Sequence, residues 1–225
     1  MGKQRPLLAG SMAVATGAAL YRAILRPWMY TWGADDNEIS AELPGDELVS
    51  ANTPRTTRAV TIDAPIRAVW PWLVQIGEDR GGFYSYSVLE RAVGAHIHNA
   101  HTIHEEWQDV RVGDTVWLAK RYGDVGRQVV AAVEPGSHLV LMSPPDFERV
   151  QRGEKASGAW ALYLRRTYGW TRLLARGSGG AVGHASFDIP HFIMEQKMMR
   201  GIRDRAQRTR RASSQRSVET VLAPL

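Results

Sequence analysis

From Thr57 the chain alternates polar and apolar positions. Val60 and Ile62 are separated by Thr61 and followed by Asp63, which predicts a strand over 57–63 ended by Ala64-Pro65. The period then changes to that of a helix: Ile66, Val69, Trp70 and Leu73 share a face, with Pro71 limiting or kinking the run. A second short helix is predicted over 85–93, stopped by Gly94. Beyond it lie five apolar stretches that read as strands, at 115–119, 127–133, 138–142, 158–166 and 169–176. Glu134-Pro135-Gly136-Ser137 suits a tight turn and Tyr168-Gly169 supplies a glycine for positive φ, so these strands form an antiparallel meander. The last element is a long helix from about Pro190. Phe192, Met194, Met198, Met199, Ile202 and Ala206 lie on one face, and Lys197, Arg200, Arg208 and Arg211 on the opposite one. Such a helix lies across a sheet and keeps its charge in water.

The ends read differently. Residues 7–21 are an uncharged, moderately apolar run bracketed by Lys3, Arg5 and Arg22, shorter than the roughly 20 residues that span a bilayer. It is a membrane anchor, a signal-peptide core or a packed helix. Residues 33–56 are acidic and aperiodic. The expected organisation is therefore an apolar N-terminal segment over 1–28, an irregular acidic arm over 29–56, one domain over 57–211 and a flexible tail over 212–225.

The order of these elements, a strand, two short helices, an antiparallel meander and a long amphipathic helix, resembles the START/Bet v 1-like superfamily. The bacterial branch described as polyketide cyclase/dehydrase or lipid-transport-like is the nearest likeness. The local motifs that carry it are Trp32-Gly33-Ala34, Leu43-Pro44-Gly45-Asp46, Trp70-Pro71-Trp72-Leu73-Val74-Gln75-Ile76-Gly77, Arg80-Gly81-Gly82-Phe83-Tyr84-Ser85-Tyr86, Glu106-Trp107-Gln108 and Val112-Gly113-Asp114, over about residues 30–210. The resemblance implies an α+β helix-grip fold, a curved antiparallel sheet wrapped around the C-terminal helix with an internal cavity for a hydrophobic small molecule or lipid. Some relatives bind and others catalyse, so transfer or sequestration of such a ligand stands beside a polyketide cyclase or dehydratase activity and a membrane-tethered adaptor.

Composition narrows the chemistry. With 225 residues, 44% hydrophobic and 23% charged, the chain can bury a sizeable core, and the absence of cysteine removes disulfides, thiolate nucleophiles and cysteine-ligated metal. The net charge of +5 is concentrated: Ile189–Arg216 holds eight basic residues against two acidic ones, leaving the rest of the chain close to neutral. With no aromatic between 197 and 216 to stack on bases, this is no nucleic-acid surface; an anionic membrane is the better partner, and a solvated helix face the simpler reading. The protein is expected in the cytoplasm, with membrane association through the N-terminal segment.

Standard catalytic motifs fail one by one. His104-Glu105-Glu106-Trp107-Gln108 begins like a zinc-protease helix but ends in Gln, and Gly177-Ser178-Gly179-Gly180 does not run into a helix as a dinucleotide cradle must. His96, His98, His101 and His104 have metal-chelating spacing, yet a solvated polar loop accounts for them and no cofactor is expected. His191 and Glu195 stand four apart on the last helix, with Asp188 before them, so a carboxylate could orient an imidazole as a general base; a surface pair at a helix start is the alternative. His191 and Glu106 are the catalytic candidates. Trp70, Phe83, Tyr84, Tyr86, Trp107 and Trp160 are the candidate ligand wall, although aromatics dominate cores in any case. Gln75, Arg80, Tyr84, Tyr86 and Glu106 are the polar groups expected at its mouth, with structural hydrogen-bond partners the equal alternative.

Overall fold

The structure is a computed structural model that describes residues 16–86 and 97–222, with Arg91 and Gly94 between them, and side chains as far as Arg211. Six strands form one antiparallel sheet: β1 (Arg55–Ile62), β2 (Thr115–Trp117), β3 (Arg127–Glu134), β4 (His138–Met142), β5 (Gly158–Thr167) and β6 (Trp170–Gly179). Their spatial order is β1-β6-β5-β4-β3-β2, so the first strand closes onto the last while the others follow as a meander. The expected turns form. Tyr168 (φ 41°) and Gly169 (φ 89°) make a two-residue hairpin in which both central residues take positive φ, which matches the right-handed twist of the flanking strands.

Among the described residues the sheet is accompanied by the helices α1 (Arg26–Tyr30), α2 (Asp36–Ser40), α3 (Ile66–Val74), α4 (Pro144–Gln151) and α5 (Ala185–Leu222). Pro71 lies within α3 without ending it. Helix α5 starts at Ala185, five residues before Pro190, because the turn after Gly183 already bonds the Phe187 and Asp188 amides to the His184 carbonyl. Helix α4 is not foreshadowed by hydrophobic period. Its cue is chemical: the Ser143 side chain caps the Asp146 amide and Pro144 occupies the first helical position. The helix expected over 85–93 falls mostly outside the described residues, as do residues 1–15 of the apolar N-terminal run.

Strand parity decides which face each side chain takes. Val60, Ile62, Leu162, Leu164, Leu173 and Ala175 point to the inner face. There they meet Val69 and Leu73 of α3, and Met198, Met199, Ile202 and Ala206 of α5, in one contiguous buried cluster. The helix therefore buries its apolar face against the sheet and turns Arg200, Arg208 and Arg211 to solvent, as its pattern requires. This is the helix-grip α+β arrangement.

The outer face is covered as well, by the acidic stretch after residue 33. Leu43 packs with Ala59, Val140, Ala161, Tyr163 and Leu174. Fully buried Arg176 then ties the arm down: it donates to the carbonyls of Glu38, Ile39 and Ala41 and forms an ion pair with Asp46 at 2.5 Å. Arg172 holds Glu38 at 2.7 Å, and Asp35 with Glu38 closes a capping box at the start of α2. Local caps and two arginines from β6 thus give shape to a segment that lacks hydrophobic periodicity.

Candidate functional site

On the inner face Arg58 occupies a strand position of the same parity as Val60 and Ile62, where a charged residue is costly unless paired. It is fully buried, and α5 supplies its counter-charge: Arg58 Nη1 donates to Glu195 Oε2 at 2.5 Å. Glu195 is buried too, and its Oε1 accepts the indole N–H of Trp160 at 2.7 Å. Arg58 Nε donates to the carbonyl of Met29 at 2.7 Å, and the ring of Phe192 lies 5.2 Å from the guanidinium carbon. Among the described residues Nη2 has no hydrogen-bond partner.

His191 completes the cluster. Its Nδ1 lies 3.2 Å from Arg58 Nη1, and since a guanidinium only donates, Nδ1 must accept, which leaves the proton of the neutral ring on Nε2. Nε2 stands 3.7 Å from Glu195 Oε1, too far for a hydrogen bond, and part of the ring remains accessible. Phe187 stacks on the imidazole at 4.8 Å. Burial holds the His191 pKa below its ordinary value; Glu195 opposes this and Arg58 reinforces it. Burial alone would raise the Glu195 carboxyl, but electrostatic attraction to the His191 ring and to the Arg58 guanidinium, with the hydrogen bonds from Arg58 and Trp160, holds it below the usual carboxylate range. The two residues therefore meet inside the protein and not as a surface pair, because α5 turns that face toward β1.

The N-terminal segment closes this end of the interface. Asp188 is buried and accepts from the Tyr30 hydroxyl at 2.6 Å and the Gly183 amide at 3.1 Å, with Arg26 Nε at 3.7 Å. Trp28 and Trp32 present their edges to Phe192 at 5.2 and 6.3 Å.

The remaining candidates separate into groups. Phe83 is buried and faces Trp160 at 6.4 Å, so these two join the cluster around Glu195. Gln75 is a structural hub: its amide donates to the Tyr84 hydroxyl and the Thr102 carbonyl, and its oxygen accepts from the His104 amide and from Gln108. Tyr84, at φ 55°, meets Trp72 edge-to-face at 5.9 Å and lies beneath Arg205 at 4.4 Å, and burial pushes its pKa up to about 12 against the pull of Gln75 and Arg205. Trp70 packs half-buried on the core. Arg80 donates to the Thr115 carbonyl at 3.3 Å. Tyr86 is exposed, its ring beneath Lys197. Glu106 is exposed and bonded to His104, and Trp107 stacks on that histidine at 4.2 Å. His98 and His101 are exposed and His96 lies outside the described residues. Among those described, no three His, Asp or Glu side chains gather closely enough to hold a metal ion.

Arg58 is the residue that sequence reasoning missed. Its signal was available in strand parity, as the one charged side chain in step with Val60 and Ile62.

A curved antiparallel sheet closed on a long C-terminal helix is a helix-grip arrangement. No protein-family model and no curated protein matches the chain. Solved structures do resemble it. Protein MLL2253 from Mesorhizobium loti is 16% identical over 69% of this chain and 98% of its own, with a TM-score of 0.41. NE0264 from Nitrosomonas europaea is 12% identical over 72% and 98%, with a TM-score of 0.46. The polyketide-cyclase-like protein Cgl2372 from Corynebacterium glutamicum is 15% identical over 70% and 82%, with a TM-score of 0.33.

Proposed function

We propose that the chain binds and carries a hydrophobic small molecule or lipid whose polar end is an oxygen acceptor, seated where α5 meets β1 and β5. The observation that carries this reading is Nη2 of Arg58, an N–H of a fully buried cation without a partner among the described residues. Leaving such a donor unpaired costs about 1–3 kcal/mol, a cost that a ligand oxygen would remove. Beside it, the proton on His191 Nε2 offers a second donor, and Phe83, Trp160 and Phe187 supply apolar surface.

The alternative, a cyclase or dehydratase working by acid–base chemistry, needs a free base. Both Glu195 oxygens are already engaged and His191 Nδ1 is occupied by Arg58, so this end of the interface offers donors. Glu106 is exposed and bonded to His104, away from that cluster's hydrogen bonds. Binding is therefore the better supported reading.

The test uses the full chain. Native mass spectrometry of the purified protein is expected to show a near-stoichiometric lipid or aromatic compound. Dodecanoate, an acceptor head, is expected to displace a naphthalenesulfonate probe at least about tenfold better than dodecylammonium, a donor head, a difference of about 1.4 kcal/mol. An empty protein that binds neither amphiphile, or both equally, would overturn the proposal.

A further inference from the structure

Exposed apolar side chains gather at one place on the surface. Leu20, Ile24 and Trp28 form an i, i+4 stripe on the N-terminal helical stretch, and Phe187, Ile189 and Ile193 stand at the start of α5; Ile24 is 64% exposed and Ile193 40%. The two stretches are held side by side through Asp188, which takes Tyr30 and Arg26, and through the Trp28–Phe192 contact. No acidic residue occurs in 16–34, and in 183–200 the two acids, Asp188 and Glu195, are buried. The remaining charges there are Arg22, Arg26, Lys197 and Arg200, all positive.

We propose that this face docks on the surface of an anionic phospholipid bilayer. An apolar patch with an all-basic rim lies in the plane of an anionic membrane, its apolar groups in the acyl boundary and its cations at the headgroups. The chain preceding the patch fits the same surface, since the uncharged run 7–21 leads straight into it after Lys3 and Arg5. A second copy fits worse, because a two-fold contact would set the basic rim against itself. Among the described residues no helix is long and apolar enough to cross a membrane, and the contact proposed is one in the interface plane. This inference is independent of the ligand proposed above.

The experiment is co-sedimentation of the full chain with phosphatidylcholine vesicles, with and without phosphatidylserine, at low and high salt. Binding is expected to require phosphatidylserine and to weaken with salt. The double variant Ile24→Glu/Ile193→Glu is expected to lower partitioning at least about tenfold with an unchanged thermal midpoint. Ile24→Ser/Ile193→Ser serves in its place if the charged pair disturbs folding. Tyr168→Glu, at an exposed aromatic on the β5–β6 turn, should bind as the unaltered protein does. Absence of vesicle binding, equal binding to neutral vesicles, full binding by the double variants, or a dimer that those substitutions dissolve would each overturn the proposal.

Discussion

Removing Arg58 should expose how the sheet and helix are joined at the site. In Arg58→Met the Glu195 carboxylate keeps Trp160 on one oxygen but loses the guanidinium on the other, and the carbonyl of Met29 loses its donor. Breaking one member of a buried ion pair costs about 3–5 kcal/mol, whereas replacing both members with apolar side chains of similar volume is often close to neutral. For a chain of this size each kcal/mol lowers the melting midpoint by about 2–4 °C, so Arg58→Met should lose about 6–20 °C, and Arg58→Met/Glu195→Leu should recover most of it. Urea unfolding followed by tryptophan emission reads this directly, since Trp160 donates to Glu195. The pH dependence has a definite sign. The folded pKa values of both Glu195 and His191 are depressed, so their contributions are present above the unfolded values and lost as pH falls toward the folded ones. His191 should make itself felt below about pH 6.5 with a slope of up to about 1.4 kcal/mol per pH unit, and Glu195 below about pH 4.3. A single-site loss under about 1 kcal/mol, or a double variant no better than Arg58→Met, would refute the account of Arg58 as a buried cation whose charge Glu195 balances.

Three further outcomes follow from the contacts around the site. Asp188→Ala removes the acceptor of the Tyr30 hydroxyl and the Gly183 amide, so it should cost about 1–3 kcal/mol and speed proteolytic cleavage before residue 32; unchanged cleavage would mean that other contacts hold the segment. Gly201→Ala places a methyl group 2.5 Å from the Tyr84 carbonyl oxygen and 2.6 Å from its Cβ, so calorimetry should show a loss of about 1–3 kcal/mol where alanine would ordinarily favour a helix. Glu106→Ala alters an exposed side chain bonded to His104; its effect on stability should stay within about 0.5 kcal/mol and dodecanoate displacement should be unchanged, and a larger effect on displacement would mark Glu106 as a site residue.

The candidate site was half legible in the sequence. His191 and Glu195 follow from helical spacing, and Trp160 from its place on a predicted strand, but none of these patterns says that the three converge. Convergence comes from β1 packing against α5, which sets Arg58 opposite a helix face 137 residues away. Gln75 and Tyr84, read from the same motifs as ligand contacts, bond each other and the 102–108 segment.

Alternating positions, two turn signals and one amphipathic period were enough to determine the meander, the terminal helix and the side of it that is buried, because those are properties of a few neighbouring residues. Pairing β1 with β6, pressing an aperiodic acidic stretch onto the outer face through Arg176, and surrounding Arg58 with a carboxylate, an imidazole and a backbone carbonyl were decided only by the tertiary structure. The physical reason is desolvation: an arginine on a strand is tolerable in water almost anywhere, and only the packed fold obliges it to find the partners that define the site.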